Sequence, residues 1–278
     1  MCAARQSTAA AAPTLAICPL SEAPARTGAG GTYPFQVPND PRPKAMASTE
    51  NQLIERLPQA AREKLLAQCE SFELTLSAEL SAPGSPLSHA YFPREGFVSL
   101  VVGVDRHPSL EVGMVGREAM LGAELILGAA GTPWRALVQG AGASWRIGAA
   151  ALRMETTTNP ALLRLLQASV LVRLHQQAMA SACERYHTIR PRLARWLLMS
   201  QDRAGTNCFH VTQEFLALML GVRRVGVTVA AGELQNSGLI SYRRGEMTVL
   251  DRRGMQAQAC SCYAADKAIY TELMGVAA

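Results

Sequence analysis

The sequence predicts an α+β protein with three parts: an N-terminal antiparallel β-roll of the jelly-roll type, a long helix, and a C-terminal domain of helices and a β-hairpin. Short apolar runs separated by turn residues between about residues 72 and 147 predict the roll. An unbroken helical pattern from Pro160 predicts the long helix. Two helical segments that meet at Gly221 predict the start of the C-terminal domain.

Length and composition support a globular protein. The chain has 278 residues, enough for about two domains. With 49% hydrophobic and 18% charged residues, the chain is neither wholly disordered nor fibrous. It has no uncharged apolar run of about 18–20 residues that would suggest a membrane-spanning segment, so we expect no membrane among its partners. The net charge of +5 permits a polyanionic partner but is too small to demonstrate one.

The first 45 residues differ from the rest of the chain. They consist largely of Ala, Pro, Gly, Ser and Thr without a periodic apolar pattern, which predicts a disordered tail at 1–45. Met46 opens a more ordinary stretch, so Met1 and Met46 both stay open as the start of translation. The tail lacks the dense apolar region of an export signal, and the seven scattered cysteines are typical of a reducing compartment. We therefore expect a cytoplasmic protein.

The β-roll is expected within residues 46–158. One segment inside it, Arg117–Gly128, predicts a short helix or turn that would place backbone N–H groups and Glu124 at the mouth of the roll. Such a corner could bind a ligand, or it could simply close the barrel. Both interpretations stay open.

The long helix is expected over residues 159–186. Thr158 or Asn159 can cap it, and Pro160 suits its first turn. Apolar residues recur at roughly heptad spacing, which predicts either a helix buried against its own roll or, as we favour, a coiled-coil dimer seam. The residues expected in this seam are Leu163, Leu166, Val170, Leu174 and Gln177.

Residues 187–278 predict a winged helix-turn-helix. Thr212 can cap a first helix, Gly221 can end it, and a second helix is expected from about Arg223 to Asn236. Ala217 is small, Gly221 allows a sharp turn and Val227 is apolar. Residues of these types at this spacing are typical of two crossing helices in a helix-turn-helix. Leu239 to Leu250 then form a hairpin, or wing, with a basic tip.

The distribution of charge agrees with a DNA-binding role for this last region. From His187 onward, eleven Arg and Lys side chains oppose seven Asp and Glu, so most of the net positive charge lies there. Two arginine pairs, 223/224 and 243/244, fall on the second helix and on the wing, the two elements that would face DNA. The residues expected to contact DNA are Thr212, Gln213, Arg223, Arg224, Val225, Thr228, Arg243 and Arg244.

The order of these elements, and above all the segment Thr212–Gly245, resembles the Crp/Fnr family of bacterial transcription regulators; the resemblance covers roughly Leu53 to the end. It implies a homodimer, a cyclic-nucleotide-binding-type roll as sensor, and a winged helix in the major groove. It also implies double-stranded DNA, a second copy of the chain and RNA polymerase as partners. The effector, the operator, and whether the protein activates or represses stay open.

Two departures from the family pattern are informative. The family's cyclic-nucleotide-binding members use a Gly-Glu pair for the ribose and a later Arg-Ser/Thr/Ala pair for the phosphate. Here Gly122 matches the ribose pair, but Ala123 stands where the glutamate is expected and Glu124 lies one place later. Arg135 and Ala136 resemble the phosphate pair. Because the carboxylate is displaced by one residue, we expect no ordinary cyclic AMP binding. Among the family's base-reading positions, Arg224 matches, whereas Val225 and Val229 replace a glutamate and a second arginine, which predicts a different operator.

The sequence predicts no catalytic residues, no metal site and no identified cofactor. Cys2, Cys18 and Cys69 are too dispersed for the cysteine cluster of the family's oxygen sensor, and the five histidines lie far apart. Cys260 and Cys262 form the one close pair, with a redox or metal role as a minority interpretation. A cupin-type metalloenzyme would need converging histidines and a carboxylate in the roll. The remaining alternative is a small-ligand or redox sensor that acts through protein contacts.

Overall fold

The computed structural model describes residues 50–106 and 109–276. The predicted disordered tail at 1–45 therefore lies outside the described residues. Two short helices, α1 (Gln52–Glu55) and α2 (Gln59–Leu66), precede the first strand. The Asn51 side chain caps α1 by accepting hydrogen bonds from the backbone N–H groups of Leu53 and Ile54.

Seven strands form the predicted roll as two antiparallel sheets. The first sheet has the order β1-β7-β3 and the second has the order β2-β6-β4-β5. Alternating side chains from both sheets fill the space between them, including the fully buried Leu74, Val98, Leu100 and Val138. The strands are β1 (Glu70–Leu74), β2 (Glu79–Ser81), β3 (His89–Pro93), β4 (Phe97–Val102), β5 (Leu110–Val115), β6 (Arg135–Gly140) and β7 (Gly142–Gly148).

Two helices leave the roll and are separated by one residue, Asn159. Helix α3 spans Ala149–Thr158 and α4 spans Pro160–Tyr186, with Pro160 in its first turn as predicted. The Asn159 side chain accepts a hydrogen bond from the N–H of Leu162 at 3.1 Å, which confirms it as the cap. The chain therefore turns sharply at Asn159 and α4 can lie back along the roll.

The C-terminal region contains five helices and three strands, and the structure confirms the predicted α+β class. Its elements are α5 (Ile189–Ala204), β8 (Cys208–His210), α6 (Gln213–Leu220), α7 (Arg224–Asn236), β9 (Ile240–Arg243), β10 (Glu246–Val249), α8 (Arg252–Gln258) and α9 (Ser261–Val276). Within the described residues, no single helix is long and apolar enough to cross a bilayer.

Helix α9 packs mainly along α4, and its first turns also contact α5 and α8 through Asp266 and Tyr263. Met274 is fully buried among the apolar residues beneath the roll. The Tyr270 hydroxyl donates to the carbonyl of Glu118, and Arg56 donates to the carbonyl of Met274. The C-terminal half of α9 thus packs against the roll, and its N-terminal half packs against the DNA-binding region.

The roll and the DNA-binding region share one apolar cluster. Phe97, Val101 and Met114 of the roll lie in the same cluster as Trp196 of α5 and Leu220 of α6. The Phe97 and Trp196 rings meet edge to face with centroids 6.4 Å apart. This shared cluster fixes the position of α5 and α6 against the roll.

The carboxyl group of Glu111 lies at this contact between the roll and α5. The Trp196 indole donates to Glu111 Oε1 at 2.9 Å, and the Ser99 hydroxyl donates to Glu111 Oε2. Burial is the main cause that raises the pKa of Glu111 to about 7, although these hydrogen bonds and the nearby Arg203 and Arg195 oppose it. The folded protein therefore keeps this carboxyl protonated at pH values where the unfolded chain has ionised it.

This raised pKa predicts a stability that falls as pH rises. Between about pH 4.5, where the unfolded carboxyl ionises, and about pH 7, the folded state binds the extra proton, so the free energy of unfolding decreases with pH and then levels off. The decrease due to Glu111 is about 3.5 kcal/mol, taking about 1.4 kcal/mol per pKa unit. We expect Glu111→Gln to remove this decrease, as measured by urea unfolding from pH 4.5 to 8.

The matched control is Glu79→Gln, which removes an exposed carboxylate paired with Arg135. We expect it to leave the wild-type pH dependence in place. A Glu111→Gln variant with the same pH dependence as wild type would show that Glu111 is ionised in the folded protein.

Candidate functional site

The first helix of the DNA-binding region, α6, begins and ends as predicted. The Thr212 hydroxyl accepts a hydrogen bond from the N–H of Phe215 at 3.1 Å. The helix ends at Gly221, whose φ of 61° lies in the left-handed region that glycine adopts without strain. A Cβ at this position would also approach Leu110 Cδ1 of the roll to 2.9 Å. The left-handed turn therefore favours glycine here, whereas the end of the Leu110 side chain could move to admit a Cβ.

The second helix, α7, crosses α6 at an angle of 108°. This value lies within the range of about 90–120° found in helix-turn-helix motifs. Ala217 and Val227, which are 8% and 0% exposed, fill the contact between the two helices, as their spacing predicts. The Thr228 hydroxyl adds a polar link by donating to Gln213 Oε1 at 2.7 Å.

The two faces of α7 differ in chemistry. Val227, Ala230, Ala231 and Leu234 are buried against the domain core. Arg224, Val225, Thr228 and Val229 lie together on the opposite, exposed face, with Val225 67% and Val229 57% exposed. Because apolar side chains at this exposure contribute little to the fold, this face is available for contact with another molecule.

The wing is a three-stranded sheet. Strands β9 and β10 are joined by Arg244 and Gly245, both with positive φ, as in the tight turns of hairpins. Strand β8 pairs with the other edge of β10, and the sequence patterns did not predict it because three residues are too few for a periodic signal. The Tyr242 hydroxyl donates to the carbonyl of Val211 at 2.8 Å and holds the wing against the start of α6.

Four arginines of the predicted interface are exposed: Arg223 and Arg224 at the start of α7, and Arg243 and Arg244 at the wing tip. In the described part of the chain, none of the four forms a salt bridge. Other arginines of this region do, with Arg190 paired to Glu233, Arg195 to Asp266, and Arg252 to Asp202. Among the described residues of this region, four of the exposed arginines without a salt bridge thus lie on the second helix and the wing, and Arg253 on α8 is a fifth.

The residues that resemble a cyclic-nucleotide site are engaged elsewhere. Glu124 is buried and accepts a hydrogen bond from Arg173 of α4 at 2.7 Å. Arg173 also lies over the Trp134 ring, 5.3 Å from its centroid. Gly122 adopts a left-handed φ of 90° and precedes a 3-10 helix at Ala123–Leu127, which covers only the second half of the predicted short helix. Glu124 therefore joins the roll to the long helix.

Arg135 and Ala136, which resemble the family's phosphate pair, have different interaction partners from Glu124. Arg135 is half-exposed on β6 and forms a salt bridge with Glu79 at 3.1 Å. Ala136, the next residue, is fully buried in the interior of the roll. Glu124 and Arg135 thus have different charged partners, Arg173 and Glu79.

The exposed face of α4 differs from the predicted seam. Leu166 is fully buried in the core beneath the roll and is not open to a second chain, and Leu163 and Val170 are partly buried. Leu171 and Leu174 are 53% and 62% exposed. One set of exposed residues recurs at alternating intervals of three and four, as in a heptad seam: Arg164, Gln167, Leu171, Leu174, Ala178, Ser181 and Arg185. Of the predicted set, Leu174 lies on this face, and Gln177 is half-buried beside it.

The fold also gathers residues that the sequence patterns kept apart. Cys183 and His187 at the end of α4 lie against Cys260 and Cys262 at the start of α9. The cysteines are not joined by disulfides. A hydrogen bond with Cys183 is the main cause that lowers the pKa of Cys260 to about 5, and the same bond raises the pKa of Cys183. Only tertiary packing brings these four side chains together, so sequence spacing could not find them.

A turn between two crossing helices, an exposed second helix and an adjoining basic hairpin define a winged helix-turn-helix DNA-binding protein. Residues 191–258 match the family model described as the Crp-like helix-turn-helix domain. No curated protein matches the chain.

Solved structures share the complete fold. FixK2 from Bradyrhizobium japonicum has a TM-score of 0.58 at 14% identity, over 69% of this chain and 98% of its own. The c-di-GMP-responsive global regulator CLP from Xanthomonas campestris has a TM-score of 0.57 at 17% identity, over 70% and 100%. A Crp/Fnr-family transcriptional regulator from Thermus thermophilus has a TM-score of 0.54 at 20% identity, over 68% and 98%. Residues 191–258 therefore form a Crp-like helix-turn-helix domain, and the chain shares its fold with regulators of the Crp/Fnr family.

Proposed function

We propose that this regulator is a homodimer that binds specific sites on double-stranded DNA in the cytoplasm and carries out no catalysis. The observation that supports this function most directly is the exposed face of α7, flanked by four arginines without salt-bridge partners among the described residues. An α-helix fits the major groove, and arginines beside it can contact bases or phosphates. The resemblance to the family adds RNA polymerase as the partner through which bound protein would act.

The direct test is recovery of genomic DNA fragments on the purified protein, followed by sequencing and gel-shift assays on the enriched motif. We expect an inverted repeat, because a twofold-symmetric dimer reads two equivalent half-sites. A variant with Arg223, Arg224, Arg243 and Arg244 replaced by alanine should lose the shift. Arg153→Ala, an exposed arginine on α3, should retain it. Equal binding to random DNA would contradict specific recognition.

The proposed dimer uses the exposed face of α4. A helix of 27 residues with Leu171 and Leu174 open to solvent leaves an apolar strip, and a second copy of α4 can cover it. This strip faces away from Leu166 and the core beneath the roll. Sedimentation of the purified protein should therefore give twice the mass of one chain.

We further propose that the roll does not bind cyclic AMP with micromolar affinity. Ala123 stands where the ribose-binding glutamate is expected, and the carboxylate of Glu124 is committed to Arg173. Isothermal titration calorimetry with cyclic AMP should show no saturable heat at micromolar concentration. Saturable binding of that strength would show that Glu124 leaves Arg173 for the ligand.

A sensor that acts only through protein contacts is the alternative function. It predicts that the four-arginine variant and the wild type bind DNA equally poorly. The same gel-shift comparison therefore separates the two functions.

A further inference from the structure

Four side chains meet where the long helix ends. Cys183 lies on the last turn of α4, His187 is the residue that directly follows this helix, and Cys260 and Cys262 flank the first residue of α9. The sulfur atoms of Cys183 and Cys260 lie 3.5 Å apart, and Cys262 Sγ lies 3.5 Å from His187 Nδ1. All four donor atoms lie within 4.8 Å of one another.

These separations are close to those of a tetrahedral metal site. With Zn–S bonds of about 2.3 Å and Zn–N bonds of about 2.0–2.1 Å, the ligand atoms of such a site stand about 3.5–3.8 Å apart. Two of the contacts already have this length, and the longest separation needs to contract by only about 1 Å. Backbone rearrangement is therefore not required for the four atoms to share one ion.

The donor set and its surroundings also favour zinc. Three thiolates and one imidazole are a common ligand set of structural zinc sites, and the three cysteines are at most 8% exposed, as in a closed site. Bound Zn²⁺ with three thiolates has a net charge of −1. Arg195 supplies positive potential at all three thiols and is held in place by Asp266 at 2.6 Å.

We propose that Cys183, His187, Cys260 and Cys262 form a structural Zn²⁺ site that joins the end of α4 to the start of α9. On binding, the ion replaces the protons of those thiols that are not already ionised, and it bonds to their sulfurs and to one His187 ring nitrogen. The site lies one residue before Thr188, where α4 gives way to α5. Zinc would therefore fix the junction between the long helix and the DNA-binding region, whether or not the protein binds DNA as proposed above.

The test measures metal directly on the full chain. Protein purified under reducing conditions, without added metal, should carry about one zinc ion per chain by atomic emission, and a mercurial reagent should release it. Metal-free protein refilled with Co²⁺ should develop the intense visible bands and thiolate charge-transfer absorption of tetrahedral Co²⁺ with cysteine ligands. A strong chelator should also lower Tm, because an ion bound only to the folded state stabilises it.

Two variants locate the ion. Cys262→Ser removes a buried ligand and His187→Ala removes the half-exposed one, so the second remains informative if the first fails to fold. Both should lose zinc on gel filtration and show no effect of chelator on Tm. Cys208→Ser, an exposed cysteine outside the cluster, is the matched control and should keep the metal.

Three outcomes would overturn the proposal. The reduced, metal-free chain could take up neither Zn²⁺ nor Co²⁺. The two ligand variants, folded by circular dichroism, could retain as much metal as Cys208→Ser. Protein kept under reducing conditions could contain a Cys183–Cys260 disulfide and no metal, which would make the cluster a redox pair instead.

Discussion

Glutamate at both Leu171 and Leu174 should convert the proposed dimer into monomers. These leucines are 53% and 62% exposed on the free face of α4, so the substitutions leave the chain's own core intact. In a dimer they would place four like charges in an apolar seam, which costs several kcal/mol. Loss of the second half-site contact should weaken binding to the full operator on the order of 10²–10⁴-fold.

Sedimentation velocity measures the mass, and a gel shift on full and half operators measures the loss of affinity. Met154→Glu is the matched control, since this residue is 72% exposed on α3 and lies outside the seam. Unchanged dimer mass in the double variant would show that the dimer, if present, uses another surface. Leu166→Glu is a poor test because it would place a charge in the core beneath the roll and unfold the chain.

Arg224→Ala should cost about 1–3 kcal/mol of specific affinity and relax base preference at one position in each half-site. Arg224 opens α7 and lies on its exposed face, where an arginine can donate two hydrogen bonds to O6 and N7 of guanine. Its neighbours Val225 and Val229 can contact thymine methyl groups but cannot hydrogen-bond a base. The measurement is binding to a library of operators with single substitutions.

Arg243→Ala and Arg244→Ala should behave differently. These side chains stand at the wing tip, where phosphates are the expected contacts, so each substitution should weaken all sequences alike. Each should also reduce the slope of log affinity against log salt concentration by about one unit. A change in base preference with an unaltered slope would show that the wing, and not only α7, reads the sequence.

The parts of the fold that carry local signals were predictable. Thr212 and Asn159 act as helix caps, and Gly221 ends α6, because each role depends on a residue type and its immediate neighbours. The bounds of α7 and the wing hairpin followed from the same local chemistry. The exposed arginine pairs were found for this reason as well, since helix phase and hairpin position determine their exposure.

Features that depend on packing between distant segments were not predictable. The position of α9 along α4 cannot be read from its own apolar pattern, because that pattern does not identify the surface it covers. Which face of α4 is exposed was not predictable for a related reason: several apolar stripes exist on this helix, and the roll covers the one that contains Leu166. The cluster of cysteines and histidine was not predictable either, because it depends both on how α4 packs against the roll and on how α9 packs along α4.

The single apolar cluster that spans the roll and the DNA-binding region has a consequence for signalling. Phe97 and Val101 on one side and Trp196 and Leu220 on the other cannot be separated without exposing their surfaces to water. A movement of one region against the other therefore has to repack this cluster or expose it to water. A signal from the roll would act by shifting the population between two packed arrangements of the cluster.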